Sequence, residues 1–383
     1  MIGIFGGSVS LQMRTEETSM KASRHIAVGM LLALAVAATM GLAHLQTVRA
    51  QSRTSAETSA EATKRIVSAA HALLATLDDA GRAKVQFPFE GPQKARWSNL
   101  PSGIFQREGL RIADLTSTQR DAVRTLLTTA LSRQGYEKAE AIMQGDEMLR
   151  QGEPANGPGG GRRGGRPGGP GGGVNFGKDQ YFLAFLGTPS TTQPWMLQFG
   201  GHHLAINLTM GGSQASMTPS LPAAQPATYT IEGRTVRPLG AENDKAFALI
   251  NALDNAQRSQ AILPYRVADL VLGPGQDGRT IQPEGIRASA LTASQQAMLL
   301  ELAREWAGIM HDAFATARMA EIKANLPNTY FAWSGPTTNG SAAYFRVQGP
   351  TVVIEYAPQG GVDHIHTIYR DPTNDYGARF ASK

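Results

Sequence analysis

Two stretches of this chain repeat one another 176 positions apart, and its fold must accommodate both copies. Glu108-Gly109-Leu110-Arg111 leads into LTSTQRDAVRTLLTTALS, and Glu284-Gly285-Ile286-Arg287 leads into LTASQQAMLLELAREWAG. Leu77-Asp78 and Leu253-Asp254 keep the same offset. In each copy a Leu-Thr opens a predicted helix, with Gln119 three residues after Thr116 and Gln295 three after Thr292. That spacing predicts a capping box: the threonine hydroxyl accepts from the amide three residues on, and the glutamine reaches back to the threonine amide.

Further along, GKDQYFLAFLGTPS parallels LPNTYFAWSGPTTN, with Tyr181-Phe182 opposite Tyr330-Phe331 at an offset of 149. The difference from 176, 27 residues, is about the size of the segment from Gln151 to Asn175. At its heart, GEPANGPGGGRRGGRPGGPGGG cannot bury apolar surface, so residues 151–175 read as a disordered insertion in one copy.

Each half reads as helices followed by a strand meander. A first helix is expected from Thr63 to Leu77, on the helical spacing of Ile66, Ala70, Leu73, Leu74 and Leu77. The first meander covers Tyr181–Leu186, Trp195–Phe199, Leu204–Met210 and Thr228–Glu232; the second covers Tyr330–Trp333, Ala343–Val347, Thr351–Tyr356 and His364–Tyr369. Helix runs followed by strand runs imply an α+β fold. Two similar halves, 63–240 and 241–383, are expected to arise by internal duplication and to pack about a pseudo-two-fold axis.

The N-terminal residues bear on where such a fold works. Met20-Lys21-Ala22-Ser23-Arg24-His25 precedes an apolar run from Ile26 to Ala43, and Val48-Arg49-Ala50 supplies small residues at the positions a signal peptidase inspects. Residues 20–50 therefore read as a signal peptide, 1–19 as an upstream extension of the gene, and 51–62 as a polar spacer. The expected location is periplasmic or secreted, with no stable membrane span once the signal is removed. With no cysteine in the chain, export brings no disulfide, and thiolate metal sites and cysteine catalysis are excluded.

The formal net charge is +5. Residues 1–50 hold four basic and two acidic side chains, which leaves +3, and Arg162, Arg163 and Arg166 of the glycine-rich segment account for that. The remaining body has no basic stripe to track phosphates, so nucleic acid is not an expected partner. A small-molecule substrate or ligand is, and the oligomeric state is left open.

Six histidines follow residue 50, and four of them form two short motifs: Gly200-Gly201-His202-His203 and Asp363-His364-Ile365-His366. The motifs fall in different halves, and neither has a histidine in the matching place of the other copy. Duplication accounts for the frame but not for the histidines, which points to one composite site. On a strand, residues i and i+2 share a face, so His364 and His366 present two imidazoles together. The glycines before His202 and His203 allow an irregular backbone on which both could converge. Three or four neutral imidazoles suit zinc or copper more than iron. Glu355 and Asp363 are the candidate general bases, and Arg370 a bidentate clamp for an anionic substrate group.

No G-x-S-x-G elbow, phosphate loop, dinucleotide fingerprint, EF-hand or H-E-x-x-H pattern is present. The strings WMLQFGGHHLAINLTM, YFAWSGP and HIHTIYRDPTNDYG resemble an uncharacterised bacterial family, domain of unknown function thirty-five hundred. The resemblance runs from the first helix to Gly377. It implies an exported single-unit protein and draws attention to His202, His203, His364 and His366; the insertion at Gly152–Gly173 is a departure. Two functions remain at this stage: a histidine-coordinated metal enzyme of hydrolase or oxidase type, and a non-catalytic small-molecule or metal-binding protein with Trp195, Trp333 and Tyr369 lining its cleft.

Overall fold

The first helix, α1 (Ser59–Ala75), begins before the Thr63 that its apolar spacing indicates. Thr58 and Glu61 form a capping box of their own, so the end of the polar stretch is a cap rather than spacer. The computed structural model describes residues 57–152 and 174–381. The expected upstream extension and expected signal peptide, with most of the glycine-rich segment, lie outside the described residues.

In chain order the first half continues with α2 (Asp79–Val85), β1 (Gln86–Phe87), β2 (Leu110–Arg111), α3 (Ser117–Ala130) and α4 (Arg133–Gln151). Its strands are β3 (Phe182–Leu186), β4 (Trp195–Gly201), β5 (Leu204–Gly211), β6 (Gln214–Ser216) and β7 (Leu221–Pro222). They form one sheet in the order β1-β3-β4-β5-β6, with β2 also on β3 and β7 also on β5. The strand expected at Thr228–Glu232 exists as β8 (Tyr229–Ile231), but it pairs only with β9 (Arg234–Val236) as a separate hairpin. The second half runs α5 (Gly240–Ala252), α6 (Asn255–Ala261), β10 (Ile286–Arg287), α7 (Ala293–Ala307) and α8 (Asp312–Ala324). An antiparallel sheet follows: β10 with β11 (Tyr330–Ser334), β12 (Tyr344–Gly349), β13 (Val352–Pro358) and β14 (Ile365–Arg370). Short α9 (Ala378–Ala381) ends the description. The fold is α+β, as the order of elements implies.

Both expected capping boxes form, at Thr116 with Gln119 and at Thr292 with Gln295. Each glutamine also donates to the end of an earlier helix, Gln119 to the Thr76 carbonyl at 3.1 Å and Gln295 to the Ala252 carbonyl at 2.8 Å. Asp78 and Asp254 cap α2 and α6, each accepting from the amide three residues on, of Gly81 and Gln257. The same bonds therefore recur at one offset.

Helices cover one face of each sheet. Leu126, Leu127 and Ile66 pack on Phe185 and Leu197 in the first half, and Leu302, Trp306 and Ile322 on Phe331 and Phe345 in the second. A fully buried large apolar side chain of this kind contributes roughly 1.5–3 kcal/mol. The opposite face is covered by two irregular straps, residues 88–108 and 262–285. Trp97 of the first packs on Ala205, Leu221 and Ile368, and Glu355 of β13 receives the amides of Val271 and Leu272 from the second at 2.6 and 2.9 Å. Both faces being covered, the strands carry near-continuous apolar runs.

Residues 220–224 join the two sheets. They lie between β5 and β14, with Ser220 paired to Tyr369 and Ala224 to Ile365. A buried ion cluster adds a second seam: Lys138 of α4 reaches Glu242 of α5 and, at 3.3 Å, Glu305 of α7.

Candidate metal centre

The seam at 220–224 brings the two histidine motifs together. His202 and His203 form the two-residue turn between β4 and β5, where Gly201 pairs with Leu204. Hairpin tips are ordinarily solvated, yet this one is buried. It is held by hydrogen bonds from three directions: Tyr181 Oη donates to the His202 carbonyl at 2.6 Å, the Ala223 amide to the His203 carbonyl at 2.8 Å, and Arg107 to the Gly201 carbonyl at 2.7 Å. His203 has φ +61°, in the left-handed region. The freedom expected of the Gly-Gly pair is thus used one step later. Gly200 and Gly201 sit in regular strand, and Gly201 is required because a Cβ there would meet the Tyr181 ring at 2.7 Å.

His364, just before β14, and His366 and Ile368 on it alternate towards the strap face, where Ile368 meets Trp97. His203 Nε2 lies 2.9 Å from His364 Nε2. The ring of His366 is 5.5 Å from that of His203 and 4.7 Å from that of His364. One ring nitrogen from each of the three falls within 4.8 Å of the others, so the group could hold a metal ion. Burial, with the neighbouring imidazoles, lowers the pKa of His203 well below the usual value and that of His364 to about 4. Both are therefore neutral at pH 7, the form that coordinates a metal.

His202 is the one expected ligand outside the triad. Its ring stacks on His203 at 3.7 Å, but its Nδ1 lies 2.5 Å from Asp146 Oδ1 on α4. Burial raises the Asp146 pKa despite that partner.

Each of the other expected site residues has a different task. Glu355 is wholly buried, and its carboxylate accepts from Val271, Leu272 and the Tyr344 hydroxyl, so it anchors a strap instead of serving as a base beside the histidines. Arg370 is no open clamp: its guanidinium is spent on the Leu272 and Gly273 carbonyls, Asp277 and Asp375. Asp363 lies beside His364 in sequence, and its Oδ1 accepts from the Ala227 amide at 3.2 Å. Trp195, Trp333 and Tyr369 are fully buried core residues; Tyr369 borders a surface pocket with Arg318, Asp371 and Asn374, which none of the four histidines lines.

Three residues with no motif around them complete the centre. Asp269, from the second strap, has its Oδ1 3.2 Å from His366 Nδ1. Burial pushes its pKa up, but the bond from His366 and the Leu270 amide outweigh this and hold it low. Asn99, from the first strap, has its amide nitrogen 3.1 Å from His366 Nε2. Asp146 completes the set. All three are isolated polar residues within irregular segments or a helix, and no spacing marks them.

Fold and site together define an α+β protein with a buried triad of histidines able to hold a metal ion. Residues 59–378 match the family model DUF3500, described as a protein of unknown function, and the chain belongs to that family. No curated protein and no solved structure matches the chain.

Proposed function

We propose that this is an exported metal-dependent protein, periplasmic or secreted, whose ion is held by His203, His364 and His366 and serves an enzyme of hydrolase or oxidase type. The convergence of three imidazole nitrogens within 4.8 Å carries the reading. A ligand set of neutral imidazoles without thiolate or carboxylate favours zinc or copper over iron. Asp269, holding His366 Nδ1, supplies the outer carboxylate that often orients a ligand histidine. Bound zinc or copper would supply Lewis acidity, the means by which such sites activate water or a carbonyl. His202, stacked on His203 and bonded to buried Asp146, is the proton acceptor in this reading, in place of Glu355 or Asp363.

The export reading rests on residues 20–50, and the small-molecule substrate on the near-neutral body. We also read the two halves as products of internal duplication about a pseudo-two-fold axis, which the recurrence of caps and glutamine bonds at one offset supports.

A second reading, a carrier or small-molecule binding protein without turnover, draws on the engagement of Glu355 and Arg370 in the fold. Elemental analysis decides the metal question, using protein purified from its native compartment without chelator or His tag. Near-stoichiometric zinc or copper, lost in the H203A, H364A and H366A variants and retained in H202A, is the expected result. No metal even after reconstitution would end the metal reading and move the function to ligand binding.

A further inference from the structure

Both ring nitrogens of His366 are engaged, and by different chemistry. Asp269 offers only acceptor oxygens, so Nδ1 at 3.2 Å carries the proton. The lone pair then sits on Nε2, where the Asn99 amide nitrogen donates to it at 3.1 Å. A metal ion needs that same lone pair and cannot share it with an N–H donor.

Asn99 cannot simply withdraw. Its carbonyl accepts from the His203 amide at 3.3 Å, and Arg107 grips the carbonyls on either side, Ser98 at 2.8 Å and Leu100 at 2.7 Å. With the backbone pinned at three successive carbonyls, the movement left is rotation of the side chain. A half-turn about Cβ–Cγ exchanges Nδ2 for Oδ1 in nearly the same volume. That places a carbonyl oxygen where the N–H donor had been, about 3 Å from Nε2. Two ligands of one tetrahedral ion, each at 2.0–2.1 Å, lie roughly 3.3 Å apart. The pairs Asn99–His366 and His203–His364, at 3.1 and 2.9 Å, both approach that spacing.

We infer that Asn99 is the fourth metal ligand: its Nδ2 occupies the His366 lone pair in the free protein, and its Oδ1 coordinates the ion in the loaded one. The inference rests on the metal reading above. A site of three imidazoles and one neutral carboxamide oxygen then draws on the β4–β5 turn, on β14 and on the first strap. The oxygen is the weakest of the four donors, so its position is the one that water or a substrate oxygen can take.

The test is a zinc titration of metal-free, full-length protein, comparing wild type with N99A and N99D. N99A is expected to bind about tenfold more weakly or worse, within the range seen when a metal site loses a supporting group. N99D keeps an oxygen and lacks the N–H donor, so it is expected to equal or exceed the wild type. Matching thermal unfolding of the three metal-free proteins shows that all are folded. If N99A binds as tightly as wild type or more tightly, Asn99 is only a competitor for the lone pair and the inference falls while the triad stands. If the wild type takes up no zinc, the metal reading itself has failed and the inference with it.

Discussion

His203 Nε2 lies 2.9 Å from His364 Nε2 although 161 residues separate them in the chain. The contact exists because residues 220–224 bond to the β4–β5 turn on one side and to β14 on the other. The Ala223 amide reaches the His203 carbonyl, and Ala224 exchanges backbone bonds with Ile365, the residue between His364 and His366. A single short segment therefore sets the spacing of the histidines.

In the proposed metal site Asp269 would act through His366, so its loss should lower affinity without removing a ligand. Asp269→Ala is expected to weaken zinc binding by about 10–100-fold. Its side chain is 56% exposed, so the unfolding temperature of the metal-free protein should barely move. Competition with a chromophoric chelator reads the first quantity and calorimetry the second.

Glu355 is expected to matter for stability. Glu355→Ala leaves the Val271 and Leu272 amides and the Tyr344 hydroxyl without their acceptor, at a cost of about 3 kcal/mol. Denaturant unfolding measures it. The folded fraction should still bind metal at wild-type stoichiometry, whereas a direct role at the centre would show as a loss of binding out of proportion to unfolding.

Glu242 gives a pH signature. Burial raises its pKa above the ordinary 4.5, the Lys138 partner offsetting only part of the shift. The folded state then holds the proton more tightly than the unfolded one. This contribution to stability is fully present below pH 4.5 and is lost as pH rises through the raised value. Glu242→Gln is expected to flatten that decline. Thermal unfolding of both proteins from pH 4.5 to 8 checks the difference, which isolates Glu242 from the other buried acids.

Gly109 and Gly285 test the equivalence of the halves. Both have positive φ, +106° and +93°, and a Cβ at either would run into a strand carbonyl, that of Leu183 or of Phe331. Each change to Ala is expected to destabilise by more than about 1 kcal/mol, and by similar amounts. A marked inequality in urea midpoints would count against equivalent roles.

Much of the scaffold was legible in the sequence because its signals are local. A capping box depends on residues three apart, and Thr116–Gln119 and Thr292–Gln295 both formed. Strand positions follow from runs of apolar residues, and all appeared within a residue or two; only the strand at Thr228–Glu232 fell outside its sheet. There the chain paired with itself across a tight turn, because residues 214–216 and 221–222 had already taken the edge of β5.

The sequence alone determined the α+β class, the repeated helix starts, the strands and the two motifs that hold the centre's histidines. It could not say which histidines converge. That depends on the left-handed turn at His203, on Asp146 drawing His202 to α4, and on straps that deliver Asn99 and Asp269 to opposite nitrogens of His366. Nor could it show that Glu355 and Arg370 hold a strap in place. A side chain's partners follow from distances between segments remote in the chain, and only packing the two halves through residues 220–224 sets those distances.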